Sequence, residues 1–188
     1  MMKILGDRTL ATSRWLEMIE RRYENRAGNP SSWYFASRSG KRAAVLVVPL
    51  TEETGRVVLV RQYRVVLDAW VLEFPAGLVD DGESIETAAH RELAEETGYE
   101  GEILTVGAPV PTSPGMTDEM VSIVTMRVGE APTRAAAPEA SEEIEVLVLF
   151  MEELEIRISG AAGAEPPLVI DSRLYAWWLG RKYSGSNA

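Results

Sequence analysis

Apolar residues change their spacing along this chain, and each change marks an element. Ala43–Leu50 is a continuous apolar run, which reads as a buried strand. Thr51–Arg56, with Gly55, is a hairpin-type turn, and Val57–Tyr63 and Trp70–Phe74 read as the next two strands. Then the period lengthens. Over Ser84–Thr97, Ile85, Ala89 and Leu93 fall on one side of a helical wheel, Ser84 suits the N-cap and Gly98 the left-handed position past the end. Strands follow at Ile103–Val110 and Val121–Val128, separated by Pro111–Asp118. Glu130–Ser141 reads as a mobile loop, Ile144–Phe150 as a strand, and a short helix begins near Met151. Gly160–Pro167 is a loop, and Asp171–Tyr183 is a helix capped by Asp171 or Ser172. Ahead of the apolar run, Ser13–Arg26 fits an amphipathic helix or a strand, and counting periods does not separate them. Ala27–Pro30 and Ser39–Lys41 are turns around a strand at Ser32–Ser37. No segment repeats.

Charge changes the picture at one place. The chain carries 29 acidic and 19 basic residues, a net of −10. Glu73–Glu102 alone holds ten of the acids and a single base, Arg91. Outside it, 19 acids and 18 bases nearly cancel. On the helix, Glu92 and Glu96 stand one turn apart at the edge of the apolar side, with Glu95 beside them. The three carboxylates share an arc of roughly 100°. Like charges at this spacing repel by a few tenths of a kcal/mol per pair, and these sit at the negative end of the helix dipole. Two local rules are broken together, which points to a functional site. A hard divalent cation would reverse both penalties.

Composition excludes several classes. A length of 188 residues suits one domain, or one with a small extension, and 46% hydrophobic content suits a buried core. No apolar run approaches the roughly 18 residues that a membrane helix needs, and the N-terminus lacks a signal-peptide core. The negative charge argues against nonspecific nucleic-acid binding. No P-loop pattern is present. With no cysteine there are no disulfides, and the expected location is cytoplasmic.

Spacing makes the acidic helix specific. Gly77, Glu83 and the run Arg91-Glu92-Leu93-Ala94-Glu95-Glu96-Thr97-Gly98-Tyr99 fit G-x5-E-x7-R-E-U-x-E-E-x-G-U, where U is bulky and apolar. This resembles the Nudix box, with Tyr99 in a slot more often aliphatic. The resemblance implies an α/β fold: a Nudix α/β/α sandwich with a mixed sheet, preceded by a small N-terminal β-extension that favours strands on both sides of Ala27–Pro30. It places the extension at residues 1–42 and the hydrolase domain at 43–188. It implies Mg²⁺, with Mn²⁺ as a possible substitute, held by Glu92, Glu95, Glu96 and the Ala76 carbonyl. Arg91 would orient a box glutamate and Glu83 would support it. His90, the only histidine, faces away from the carboxylates.

Outside the box the chain resembles ADP-ribose and ADP-sugar pyrophosphatases. Arg61–Arg64 (R-Q-Y-R) followed by L-E-F-P-A-G matches that group around a substrate arginine, Arg64, and a glutamate, Glu73. Pro114, fifteen residues after Tyr99, begins P-G-M, so Pro114, Gly115 and Met116 are expected at the substrate. Trp15, Trp33 and Arg38 lie in the extension, which in that group supplies aromatic walls for the adenine, often across a dimer interface. Each residue also has a plain reading: turn, core or surface ion pair. The catalytic base would come from the loop before the last strand, with Glu142 as the match and Glu143 its alternative. The expected reaction is hydrolysis of ADP-ribose to AMP and ribose 5-phosphate by a homodimer that binds neither nucleic acid nor membrane. The alternatives are a broader nucleoside diphosphate sugar hydrolase, acting on ADP-glucose or GDP-mannose, and a domain that senses ADP-ribose without cleaving it.

Overall fold

The computed structural model describes residues 1–163 and 167–184. Three antiparallel strands come first: β1 (Lys3–Thr12), β2 (Leu16–Glu24) and β3 (Pro30–Arg38), in the order β1-β2-β3. Within Ser13–Arg26 this settles the open choice as strand, over Leu16–Glu24, with turns at both ends. Ladder hydrogen bonds on both edges of β2 decide what the pattern could not, and Ile19 pairs with Phe35 as a small buried centre. The turn works as expected: the Asn25 side chain accepts from the Ala27 and Asn29 amides at 2.9 and 3.1 Å, and Gly28 takes φ 81°. Strand β1 had no sequence signal, because nearly all of it is exposed.

A nine-stranded mixed sheet follows. Its strands are β4 (Ala44–Thr51), β5 (Val57–Arg64), β6 (Ala69–Glu73), β7 (Ala76–Leu78), β8 (Gly101–Val106), β9 (Val110–Pro111), β10 (Met120–Val128), β11 (Ile144–Leu149) and β12 (Leu168–Ile170). The main path runs β12-β6-β5-β4-β10-β8, with β11 on β5, β7 on β4 and β9 on β10. β4–β10 and β6–β12 are the parallel pairs. Helices α1 (Ile85–Thr97), α2 (Met151–Gly160) and α3 (Ser172–Tyr183) cover it.

Strand β4 shows why its run is continuously apolar. Val45 and Val47 pack with Ala89 and Leu93 of α1, whereas Leu46 and Val48 pack with Leu154 of α2 and with Leu174 and Trp178 of α3. Alternate residues serve two cores, so neither face is polar. Trp177 meets Phe74 edge-on at 5.5 Å, and both tryptophans of α3 belong to this packing.

Three expectations change. Ile103–Val110 is not one strand: β8 ends at Val106, Gly107 passes so close to the Ile123 carbonyl that a Cβ would stand 2.9 Å from it, and β9 is a separate fragment. Pro109 has no amide hydrogen with which to continue a ladder. Within Gly160–Pro167, Ala161–Gly163 forms a 3-10 turn, while 164–166 lie outside the described residues, and β12 follows as an unforeseen edge strand. The Glu130–Ser141 segment is docked rather than free. The Thr133 and Arg134 amides donate to the Gly98 carbonyl, and the Ala137 amide donates to the Glu95 carbonyl at 2.7 Å. Those carbonyls are otherwise unpaired at the end of α1.

Candidate active site

Helix α1 is set by its ends. Ser84 caps it, accepting from the Thr87 amide at 3.2 Å, and Gly98 closes it at φ 75°, donating to the Ala94 carbonyl. Ala88, Ala89 and Leu93 anchor it to the sheet, and that anchoring turns Glu92, Glu95 and Glu96 toward β7. Gly77 lies against Glu92: a Cβ would stand 2.0 Å from the Glu92 carboxyl carbon, so any larger residue would push that carboxylate out of place. The Ala76 amide donates to Glu96 at 3.2 Å.

Arg91 ties this end together. Its guanidinium donates to both Glu83 oxygens at 3.0 and 2.9 Å, to Glu92 at 2.8 Å, to Glu95 at 3.2 Å and to the Leu78 carbonyl at 2.9 Å. The Arg91 hydrogen bonds hold the Glu83 carboxyl below its usual pKa. Burial pushes Glu92 up. Glu96 is 3% exposed, and burial, followed by the nearby Glu142 and Glu92 charges, pushes it up to about 9. His90 is exposed on the far side.

These carboxylates form one wall of a cleft of about 650 Å³. Trp15, Arg38, Arg64, Glu73, Ala76 and Glu142 line it with them. Arg64, opposite Ala69 in the β5–β6 register, reaches along β6 to donate to Glu73 at 2.8 Å, and burial of Glu73 raises its pKa despite that partner. Glu142 accepts from the Glu139 amide at 3.2 Å, and Gln62 reaches it at 3.4 Å. Glu143 is exposed and is not part of the cleft wall. Trp33, Pro114, Gly115 and Met116 are not brought into the cleft of the single chain. They meet one another instead: the Trp33 indole donates to the Gly115 carbonyl at 3.0 Å, and the Ala36 amide donates to the Met116 carbonyl at 2.9 Å. Trp33 is 53% exposed and Met116 72%.

Several cleft residues escaped the sequence reading. Glu119 pairs with Arg38, Arg42 pairs with Asp80, and Arg173 pairs with Asp171 at 2.8 Å. Asp171 was visible as a helix cap, and it does accept from the Arg173 and Leu174 amides. Arg42 stands in no motif, and Glu119 ends the run Ser113–Glu119 around Pro114–Met116 without being marked by it as a cleft residue.

Among the described residues no three acidic side chains converge as a finished metal cage, because Arg91 occupies oxygens of Glu92 and Glu95. The donor chemistry nevertheless fits a divalent cation. Every available group is an oxygen, and among the described residues Glu96 accepts only from the Ala76 amide, so burial and the nearby Glu142 and Glu92 charges favour its protonated form, a proton that a divalent cation would replace.

Comparison with known proteins places this geometry. The NUDIX domain family matches residues 40–168. A mouse protein described as ADP-sugar pyrophosphatase is 33% identical over 194 residues, covering 97% of this chain and 88% of the relative. A Bacillus subtilis ADP-ribose pyrophosphatase is 36% identical over 110 residues, 58% of this chain and 59% of the relative. A solved structure described as an ADP compounds hydrolase superposes with a TM-score of 0.71 at 24% identity, covering 99% of this chain and 96% of that one, so the fold is shared end to end. Divalent metal ions serve this family generally. No helix among the described residues is long and apolar enough to cross a membrane. The box geometry and these matches agree: the chain belongs to the Nudix family.

Proposed function

We propose that this chain is a pyrophosphohydrolase that cleaves ADP-ribose to AMP and ribose 5-phosphate. The observation that carries this reading is the single cleft joining the box carboxylates Glu92, Glu95 and Glu96 to Trp15, Arg38, Arg64 and Glu142. A divalent cation, Mg²⁺ with Mn²⁺ as substitute, would supply neutralisation of substrate charge and a more acidic water when bound. Glu92, Glu95, Glu96 and the Ala76 carbonyl would hold it. Glu142 accepts the proton of the attacking water, and Glu143 is the reserve assignment. Arg91 keeps Glu92 and Glu95 aimed by ion pairing, with Glu83 fixing its other edge. Arg64 meets a phosphate, and Trp15 offers a face to the base.

The extension, residues 1–42, serves base binding and dimerisation, and 43–188 serves hydrolysis. Trp33 and the Pro114–Met116 segment, which touch each other outside the cleft, reach substrate from a second copy in this reading. A cytoplasmic setting fits the cysteine-free chain. A broader substrate range, including ADP-glucose and GDP-mannose, is the second reading. The observation behind it is Tyr34, a 53% exposed tyrosine that directly follows Trp33, so the neighbouring position offers a phenol rather than an acid to select one base.

The test is a hydrolysis panel with Mg²⁺, using ADP-ribose, ADP-glucose, GDP-mannose, NADH and diadenosine polyphosphates, with products resolved. Preferred turnover of ADP-ribose to AMP supports the first reading. Preferred turnover of a guanine sugar replaces it with the second. Binding of ADP-ribose without turnover of any compound assigns a sensor.

A further inference from the structure

Five arginines line the cleft, and four of them use Nε in their ion pairs. Arg38 donates from Nε to Glu119, Arg64 from Nε to Glu73, Arg91 from Nε to Glu83 and Arg173 from Nε to Asp171. Arg42 differs. It donates to Asp80 from Nη2, and its Nε is buried with no partner among the described residues.

The backbone around Arg42 is well tied. It follows the 3-10 turn Ser39–Lys41 with extended dihedrals (φ −65°, ψ 134°), and the next carbonyl, Ala43, accepts from the Val79 amide at 3.0 Å. Arg42 therefore stands beside the β7–α1 connection, at the carboxylate end of the cleft. Its present partner is loosely committed: the Asp80 side chain is 60% exposed, and such pairs are weak because water competes for both charges. An unpaired buried N–H costs free energy that a two-point acceptor would recover. A phosphate offers two oxygens at the spacing of the Nε–Nη2 edge, which a single Asp80 oxygen does not.

We propose that Arg42 is a phosphate-binding residue that exchanges Asp80 for two oxygens of the substrate diphosphate. Asp80, largely exposed, returns to water when it is released. This rests on the reading of the cleft as a nucleoside diphosphate sugar site.

The experiment compares wild type, Arg42→Lys and Asp80→Asn in ADP-ribose hydrolysis with Mg²⁺, in titration calorimetry with ADP-ribose, and in thermal unfolding. Lysine keeps the charge that pairs with Asp80 but has no Nε edge. The expected result for Arg42→Lys is a KM raised about tenfold, with kcat within about twofold and an unchanged Tm. Asp80→Asn is expected to lower KM, because it removes the competing partner. An unchanged KM in Arg42→Lys would overturn the proposal. So would a raised KM in Asp80→Asn, which would make the pair a brace for the loop. If wild type binds ADP-ribose without hydrolysing any nucleoside diphosphate sugar, the hydrolase reading falls, and weaker binding by Arg42→Lys still sustains the role of Arg42. If wild type neither binds nor hydrolyses it, both fall.

Discussion

The two ends of the cleft are built in opposite ways. At the α1 end, Gly77, Glu83, Arg91, Glu92, Glu95 and Glu96 come from one short stretch, and local geometry brings them together. At the other end, Trp15, Arg38, Arg64, Glu119 and Arg173 come from across the chain and meet only after the sheet has formed. The first end has the buried Glu96 carboxyl, which no basic side chain pairs with among the described residues. In the second, each arginine already holds an acid. This contrast points to a division in which the α1 carboxylates govern the chemical step, whereas Trp15 and the arginines, Arg42 beside the α1 end included, govern binding.

The largest test of that division is Glu96→Gln. Turnover is expected to fall by about 10³-fold or more, since losing several kcal/mol of charge stabilisation costs a factor of ten per 1.36 kcal/mol. Stability without metal should move the other way. The Glu96 pKa is raised to about 9 in the folded chain against 4.5 as its ordinary value. Between those values the native state keeps a proton that the unfolded state has released, so this group makes stability fall as pH rises from 4.5 toward 9. The variant has no such group. Its Tm in chelator is expected to exceed that of wild type by most at the alkaline side, and added Mg²⁺ should close the gap by raising wild type alone. Equal pH slopes for the two proteins would show that Glu96 does not hold this extra proton in the folded chain.

Next in size is Glu142→Gln. A kcat lowered by about 10²-fold, with Mg²⁺ binding intact, is the outcome expected of a general base. The same change at Glu143, which lies outside the cleft wall, is expected to leave kcat within about twofold. Reversal of that order would transfer the role.

The contrast also explains what could be read in advance. The box end was legible because the helix period and the i,i+4 relation are local, so residue numbers alone bring Glu92 and Glu96 together. The sandwich was legible from β4, whose unbroken apolar run needs cover on both faces. Strand β1 was not, since exposed positions carry no burial pattern. Docking of the Glu130–Ser141 segment was not, since its anchors are backbone carbonyls of Glu95 and Gly98 rather than side chains. Arg42 belongs to the cleft only through strand order, which no spacing encodes, and Glu119, although it ends the Ser113–Glu119 run, was not marked because its partner Arg38 lies 81 residues away.

Trp15→Ala probes the binding end. A stacked base is worth about 1–3 kcal/mol, so KM for ADP-ribose is expected to rise roughly tenfold or more while kcat holds. A loss confined to kcat would undo the division between the two ends.

The smallest effect on activity is expected at a site belonging to neither end. Glu130 accepts from the Glu53 and Thr54 amides at 2.9 and 3.1 Å, from the Thr54 hydroxyl at 2.7 Å and from Arg56 at 2.8 Å, pinning the hairpin turn after β4 to the segment after β10. The Thr54 hydroxyl and then Arg56 hold its pKa down to about 2. A depressed carboxylate stabilises the fold above its ordinary value of 4.5, and that contribution disappears as pH falls through about 2. Glu130→Gln should therefore have a lower Tm than wild type at neutral pH, with the difference shrinking as pH drops below 4.5, while kcat and KM at neutral pH stay within about twofold. The turn lies away from the cleft lining, so a kinetic change larger than this would mean that docking of the Glu130–Ser141 segment, and with it the placement of Glu142, depends on this anchor.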